Sequence, residues 1–228
     1  MSTFETYLIP FFSGLIVGLS VNAIVAFFQR PALEITSDDD RPDPKCDTRY
    51  LHVRVENKKH PLFNRNMAVD CESQVWIADA KTHQIKTGSP FRTKWARLSN
   101  LAYVDSTRRL EWIPVPALET RINIYPGHSD GGKEGLQLDI VKKDRKICIV
   151  HDPESYPERD RNGDVSKWQL DHGKYYVKIR IKYANTASDP RYFLFTNGEH
   201  LQDTRLVDCS VEDLVVARSV FSNHDPIH

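Results

Sequence analysis

Cysteine is scarce in this 228-residue sequence: Cys46, Cys71, Cys148 and Cys209 stand far apart, and no CxxC pair occurs. A zinc ribbon and a thioredoxin-like redox motif both need closely paired thiols, so both are excluded. Cys71 and Cys148 lie in apolar runs, "MAVDCESQVWI" and "KICIV". Buried free thiols are common in such settings, so free cysteines are expected, with two disulfides as the arithmetical alternative. Net charge is missing too: 31 Lys and Arg balance 31 Asp and Glu, and the charges are mixed along the chain. Such a chain has no field to attract nucleic acid, and none is expected as a partner. Also absent are HExxH, GxxxxGK[ST] and GxGxxG, the commonest local signatures of zinc proteases and nucleotide sites, and the GxSxG letters occur only as "GHSDG" (127–131) within the turn signal "YPGHSDGG". No catalytic residue, cofactor or metal is therefore assigned. No Asn-x-Ser/Thr sequon occurs, which fits a domain that is not glycosylated.

One long hydrophobic run stands out against this polar background. Tyr7 to Phe28 is 22 residues without a charged side chain. As a helix it would span about 33 Å, enough for a hydrocarbon core of about 30 Å. A cleaved signal needs a basic n-region, a shorter apolar core and a small-x-small site. Here only Glu5 is charged before the run, which closes with "AFFQRP". A buried core helix is the other alternative, yet globular helices are seldom apolar on every face for six turns. A membrane anchor over residues 1–31 is the expectation, with Pro10 in the first turn, Pro31 as the stop and Tyr7, Phe27 and Phe28 at the ends.

Gly14, Gly18, Asn22 and Ala26 recur every four residues along this run. Small residues at that spacing let helix backbones approach closely, and an Asn amide in the same row can hydrogen-bond across a helix pair in lipid. The expected partners are the bilayer and a second helix, from another copy or from a different membrane protein. Glycine is also simply frequent in membrane helices. Orientation follows from flanking cations: none precede the run, whereas Arg30, Arg41 and Lys45 follow it. The N-terminus is expected outside and the rest of the chain cytoplasmic.

Behind the anchor the pattern changes to period two. "YLHVRVEN" sets Leu51, Val53 and Val55 against His52, Arg54 and Glu56. "YYVKIRIKYA" sets Tyr175, Val177, Ile179, Ile181 and Tyr183 against Lys178, Arg180 and Lys182, a face that reads as the wet side of a sheet. "ALEIT", "MAVDCESQVWIAD", "RLEWIPV", "TRINIYP", "GLQLDIV", "KICIV" and "RYFLFT" are further strands, separated by turn signals such as "YPGHSDGG" and "DRNGD". No long amphipathic helix separates them, which argues against a parallel sheet. An all-β antiparallel sandwich over residues 32–208 is expected, with a small barrel as second choice. Residues 209–228 form a tail in which "SVEDLVVARSVF" has helical spacing at Val211, Leu214, Val215 and Arg218.

The stretch "LHVRVENKKHPLFNRNMAVDCESQVWI" resembles the opening of an immunoglobulin-like module of the CARDB type, and "GKYYVKIRIKYAN" resembles its closing strand. The likeness covers about 30 residues with loose motifs. It implies an Ig-like sandwich serving adhesion, spacing or docking, and no activity.

Four patterns invite sharper readings. "ERDRNGDVSKWQ" places Glu158, Asp160, Asn162, Gly163 and Gln169 at positions of an EF-hand loop, but the first position wants Asp and the last a bidentate Glu. Asn162-Gly163 reads better as a hairpin turn. His224 and His228 are four apart, yet Pro226 between them prevents a dependable helix, and a solvated tail is expected. "PFRTKWARLSN" interleaves Arg92, Lys94 and Arg97 with Phe91 and Trp95, a mixture suited to a partner protein or acidic headgroups, with a charge-protected edge strand as the plainer reading. The loop "KKHPLFNRN" carries Leu62 and Phe63, either exposed or folded back on the core. Taken together, the sequence reads as a non-catalytic, single-pass membrane-anchored interaction or scaffold subunit. A tethered ligand or signal sensor is the alternative, and an enzyme without a local motif the third.

Overall fold

The computed structural model describes the backbone of residues 3–38, 48–62, 64–87, 90, 93–95, 102–104, 110–112, 121–127, 133–143, 148–150, 169–184 and 186–222. Helix α1 spans Thr3–Gln29. Its segment Phe11–Gln29 is long and apolar enough to cross a membrane, and none of that segment is buried against the rest of the chain. In this apolar setting the Ser20 hydroxyl donates to the Ile16 carbonyl at 2.8 Å, so its donor is met within the helix. The helix begins earlier than the expected Tyr7, which moves Pro10 out of the first turn and into the helix body. A proline there offers no N–H to the Thr6 carbonyl, a gap that membrane helices tolerate. At the other end Arg30 N–H donates to the Phe27 carbonyl at 3.3 Å, tightening the last turn before Pro31.

The rest of the described chain is mostly antiparallel β-structure. One six-stranded sheet takes β1 (Leu33–Asp38), β2 (Thr48–Asn57), β8 (Lys133–Lys143), β9 (Cys148–Val150) and β10 (Gln169–Leu170) in that order, with β4 (Lys94–Trp95) also on β8. The second six-stranded sheet runs β14 (Arg205–Asp208), β13 (Arg191–Asn197), β11 (Gly173–Tyr183), β3 (Ala68–Asp79), β7 (Arg121–Ile124), with β12 (Thr186–Ala187) added to β11. A separate pair joins β5 (Ala102–Val104) to β6 (Leu110–Trp112).

The period-two pattern determines what is buried. Leu51, Val53 and Val55 of β2 point inward, while Arg54 between them is exposed. Val177, Ile179 and Ile181 of β11 join them in one cluster with Ile35, Cys71, Val75, Ile77, Phe193 and Phe195. That cluster draws on both large sheets. The second sheet also meets the edge strand β1: Arg191 Nε of β13 donates to the Ile35 carbonyl at 3.2 Å, and Ser37 Oγ donates to Asp208 Oδ2 of β14 at 3.1 Å.

A bulge marks the start of β3. Ala68 pairs with Ile124 and Cys71 with Ile122, so Val69 and Asp70 together face Asn123. Asp70 takes a left-handed conformation, φ 57°, and its N–H donates to Asn123 Oδ1 at 2.9 Å. Arg121 spans the bulge, donating to Asp70 Oδ2 at 3.1 Å and Glu72 Oε2 at 3.0 Å.

One sequence expectation needs correction. The face of β11 that reads as wet is covered over its middle, where Lys178 is 1% exposed and Tyr176 6%, while Arg180 is half-buried and Lys182 is exposed as expected. The cover is helix α2, Val211–Ser222, the helix that the spacing of the tail suggests, with Val211 and Val215 turned outward at 81% and 65% exposed. Ala217 and Phe221 are buried instead, with Val216 and Val220 beside them. The packed stripe follows where the helix docks, and a stripe of valines on a short helix has no priority over Ala and Phe when the sheet beneath is aromatic.

Candidate functional site

Three features of the described chain bear on function: the junction of α1 with the sheets, the open face of α1, and the cluster beneath α2. The junction is built on Asn57, at the end of β2 and fully buried. Its Oδ1 accepts from Ala32 N–H at 3.1 Å, and its Nδ2 donates to the carbonyls of Asn66 at 2.9 Å and Ile124 at 3.3 Å. Its own carbonyl accepts from Gly127 N–H at 3.0 Å. One side chain thus ties the residue after Pro31 to the loop at Asn66 and to the end of β7. The helix end is tied in the same way: Gln29 C=O, one of the last carbonyls left without an intrahelical donor, accepts from Asn66 N–H at 2.7 Å. Lys58 N–H donates to Ala32 C=O at 2.9 Å, Tyr183 Oη to Pro31 C=O at 3.4 Å, and the His60 ring lies 5.3 Å from that of Phe28.

Charge at this end is partly internal. Lys58 pairs with both Glu34 and Glu56, and the Glu34 hydrogen bond raises its ammonium pKa above the ordinary value. Arg30 sits 5.9 Å from the Phe27 ring. Leu62 is not folded back on the core, being 82% exposed; Phe63 lies outside the described residues.

On α1, Gly14, Gly18, Asn22 and Ala26 are all exposed, and a Cβ added at either glycine would meet nothing within 4 Å. The row of small residues is therefore an open strip of backbone-accessible surface along the helix.

Beneath α2 lies a second cluster of Trp76, Ala78, Tyr176, Ala217 and Phe221. Lys178 Nζ stands 4.7 Å from the centroid of Trp76 and 5.9 Å from that of Phe221, so its charge lies against aromatic faces while its stem fills the interface. Ser210 starts the helix: its Oγ accepts from Asp213 N–H at 3.1 Å and donates to Asp213 Oδ2 at 2.7 Å. Asp213 Oδ1 in turn accepts from Tyr176 Oη at 3.4 Å, and burial, then Asp213, raises the Tyr176 pKa. A sequence signal for this cover exists in hindsight: Trp76 and Tyr176 fall on the strand faces opposite Ile77 and Val177, and aromatics seldom line a face left to water.

The basic-aromatic stretch is partly corrected. Trp95 is unavailable to a partner: it is 1% exposed, and its Nε1 donates to the Cys71 carbonyl at 3.2 Å. The indole is the largest apolar group of the stretch, and burying it outweighs displaying it. Lys94 lies in β4, paired with Gln137 of β8. Phe91, Arg92 and Arg97 lie outside the described residues, as do Glu158 to Trp168 of the calcium-loop pattern and His224 and His228. Gln169, the last position of that pattern, is the first residue of β10.

No protein-family model, no curated protein and no solved structure matches this chain. Its function has to be argued from its own residues.

Among the described residues no group of three or more His, Cys, Asp or Glu could hold a metal ion. Cys71 and Cys209 are free. Burial pushes the Cys71 thiol up to about 12; burial, followed by Asp213 and Asp208, pushes that of Cys209 up to about 11. Both raised values place the proton on sulfur, so neither is an activated nucleophile. At pH 8 Cys209 should react with iodoacetamide about a hundredfold more slowly than an ordinary thiol of pKa near 9. Matching rates in the native and urea-unfolded protein would contradict its burial. The linkage has a sign: below pH 9 the neutral thiols cost nothing, and stability falls as pH rises past it, because only the unfolded chain ionises freely.

Proposed function

We propose that the chain is a non-catalytic, single-pass membrane subunit in which α1 both anchors the β domain and pairs with another helix through Gly14, Gly18, Asn22 and Ala26. The observation that carries this reading is the combination of an open small-residue strip on α1 with an α1 end hydrogen-bonded into the sheets. A flexible tether would leave the domain's orientation independent of the helix. A bonded junction makes the pairing face of α1 determine how two β domains are presented.

The division into an anchor at 1–31, a domain at 32–208 and a C-terminal segment at 209–228 belongs to this proposal, as does an immunoglobulin-like sandwich for the domain. The shared core of the two large sheets supports a sandwich, since packed sheets bury facing side chains between them. The N-terminus is placed outside and the domain in the cytoplasm, on Arg30 after the span and no cation before it.

Replacing Gly14 and Gly18 with Leu should abolish helix pairing, because two isobutyl groups fill the strip that close approach requires. The measurement is a membrane two-hybrid assay together with crosslinking in native membranes. An undiminished signal in the double variant, with normal insertion, would sink the pairing. Orientation is read separately: a membrane-impermeant maleimide on intact cells should not reach a cysteine placed at Lys81, and labelling there would reverse the topology.

A further inference from the structure

Among the residues whose side chains are described, the large hydrophobic ones exposed outside α1 are Leu62, Val69, Tyr125, Val211 and Val215. The last two belong to α2. The other three converge on the end of the domain that receives α1. Leu62 lies in the loop held to the helix by Lys58 N–H on Ala32 C=O and by Asn66 N–H on Gln29 C=O. Tyr125 follows Ile124, whose carbonyl is bound by Asn57. Val69 lies in the bulge, and its carbonyl accepts from Ala184 N–H at 3.0 Å, next to the Tyr183 that reaches Pro31.

The level of this patch is set by the helix. The apolar segment Phe11–Gln29 ends at the residue to which the loop is bonded. A helix crossing the hydrocarbon has its last apolar turn at the hydrocarbon–headgroup border, so a loop bonded to Gln29 and touching Phe28 lies at that border as well. Exposed apolar side chains, a tyrosine and nearby cations are what an interfacial segment carries. Arg30 and Lys59 are exposed at this end, and Lys59 lies against Gly127, beside Tyr125.

We propose that the β domain rests on the bilayer crossed by α1, with Leu62, Val69 and Tyr125 seated in its headgroup layer and Arg30 and Lys59 beside lipid phosphates. The proposal rests on the reading that α1 spans the membrane. The surface is then a second attachment to the same membrane, in addition to the helix.

The test uses the full-length chain in nanodiscs of phosphatidylcholine and phosphatidylserine, with Cys46, Cys148 and Cys209 replaced by Ser and the buried Cys71 retained. Spin labels are placed singly at Leu62, at Leu19 on the exposed surface of α1, and at Lys81. Lys81 is at the opposite end of the second sheet, beyond the Asp79–Tyr175 pair, about 25 Å along β11 from Tyr183. The ratio of oxygen to nickel-chelate accessibility at Leu62 should exceed that at Lys81 several-fold and fall below that at Leu19. If Leu62 matches Lys81 while Leu19 is in lipid, the surface attachment fails and the spanning helix stands. A label at Leu62 shielded from both relaxants would mean a protein partner covers the loop, which also overturns the proposal. If Leu19 itself is aqueous, the spanning reading fails and the attachment with it.

Discussion

Replacing Asn57 with Asp should destabilise the β domain by about 3–5 kcal/mol at neutral pH, the loss typical of an uncompensated buried charge. The shape is conserved and Oδ1 can still accept from Ala32, but the second oxygen faces the carbonyls of Asn66 and Ile124, where Nδ2 had donated. An ionised carboxylate there is repelled by both. A protonated one can donate to one of them, so the folded state raises the carboxyl pKa above its unfolded value of about 4. A raised acid pKa means that the variant is most stable below that value and loses stability as pH rises through the folded pKa. Asn57→Ala should cost about 2–3 kcal/mol by leaving buried backbone groups unpaired, without this pH dependence. Urea unfolding of the full-length protein in detergent, at acidic and neutral pH, separates the two variants. Equal, pH-independent losses would show that Asn57 does not act as a buried donor.

Phe221→Ala should release α2 while leaving the rest of the fold in place. The ring is 1% exposed, packs on Tyr192 at 6.2 Å and covers Lys178. Removing a buried phenyl costs about 3–5 kcal/mol. Alone, a 12-residue helix is marginal in water, so most of this loss falls on the docking of α2. Amide exchange across Val211–Ser222 should accelerate by two to three orders of magnitude, and β3 and β11 should keep most of their protection. Cys209 packs beside the same cluster, and its alkylation at pH 8 should quicken as its thiol returns toward the ordinary range. Unchanged exchange in α2 would mean that Phe221 is not what holds it.

The membrane-competent helix and the long strands were legible in the sequence because each is a local, periodic signal. Leu51, Val53 and Val55 alternate within one strand, as do Val177, Ile179 and Ile181, and their burial needs no knowledge of what packs on them. The short strands β4, β10, β12 and β14 hold two to four residues each, too few for any period to show. Lys178 was misread because a lysine between isoleucine and valine looks solvated until a helix more than 30 residues later is placed over it. Trp95 was misread for the opposite reason: its cationic neighbours suggested display, whereas Cys71, 24 residues away, supplied a buried acceptor for its indole. Asn57 appears in the sequence only as the last residue of the alternating run "YLHVRVEN". Its partners stand 25, 9 and 67 residues away, and no local pattern encodes such a meeting point.

Those separations also set an order in time. The apolar helix is complete once its first 29 residues exist, and it can enter a bilayer while the rest of the chain is still being made. The seal at its end cannot form then, because Asn57 waits for Ile124, and Pro31 waits for Tyr183. On the proposed reading of α1 as an anchor, newly made chains pass through a stage in which the helix is inserted and the domain hangs from an unlocked hinge. If α1 pairs as proposed, lateral meetings between α1 helices at that stage would select partners before the β domains have fixed orientations, and closing of the junction around Asn57 would then convert a chosen helix pair into a fixed arrangement of domains.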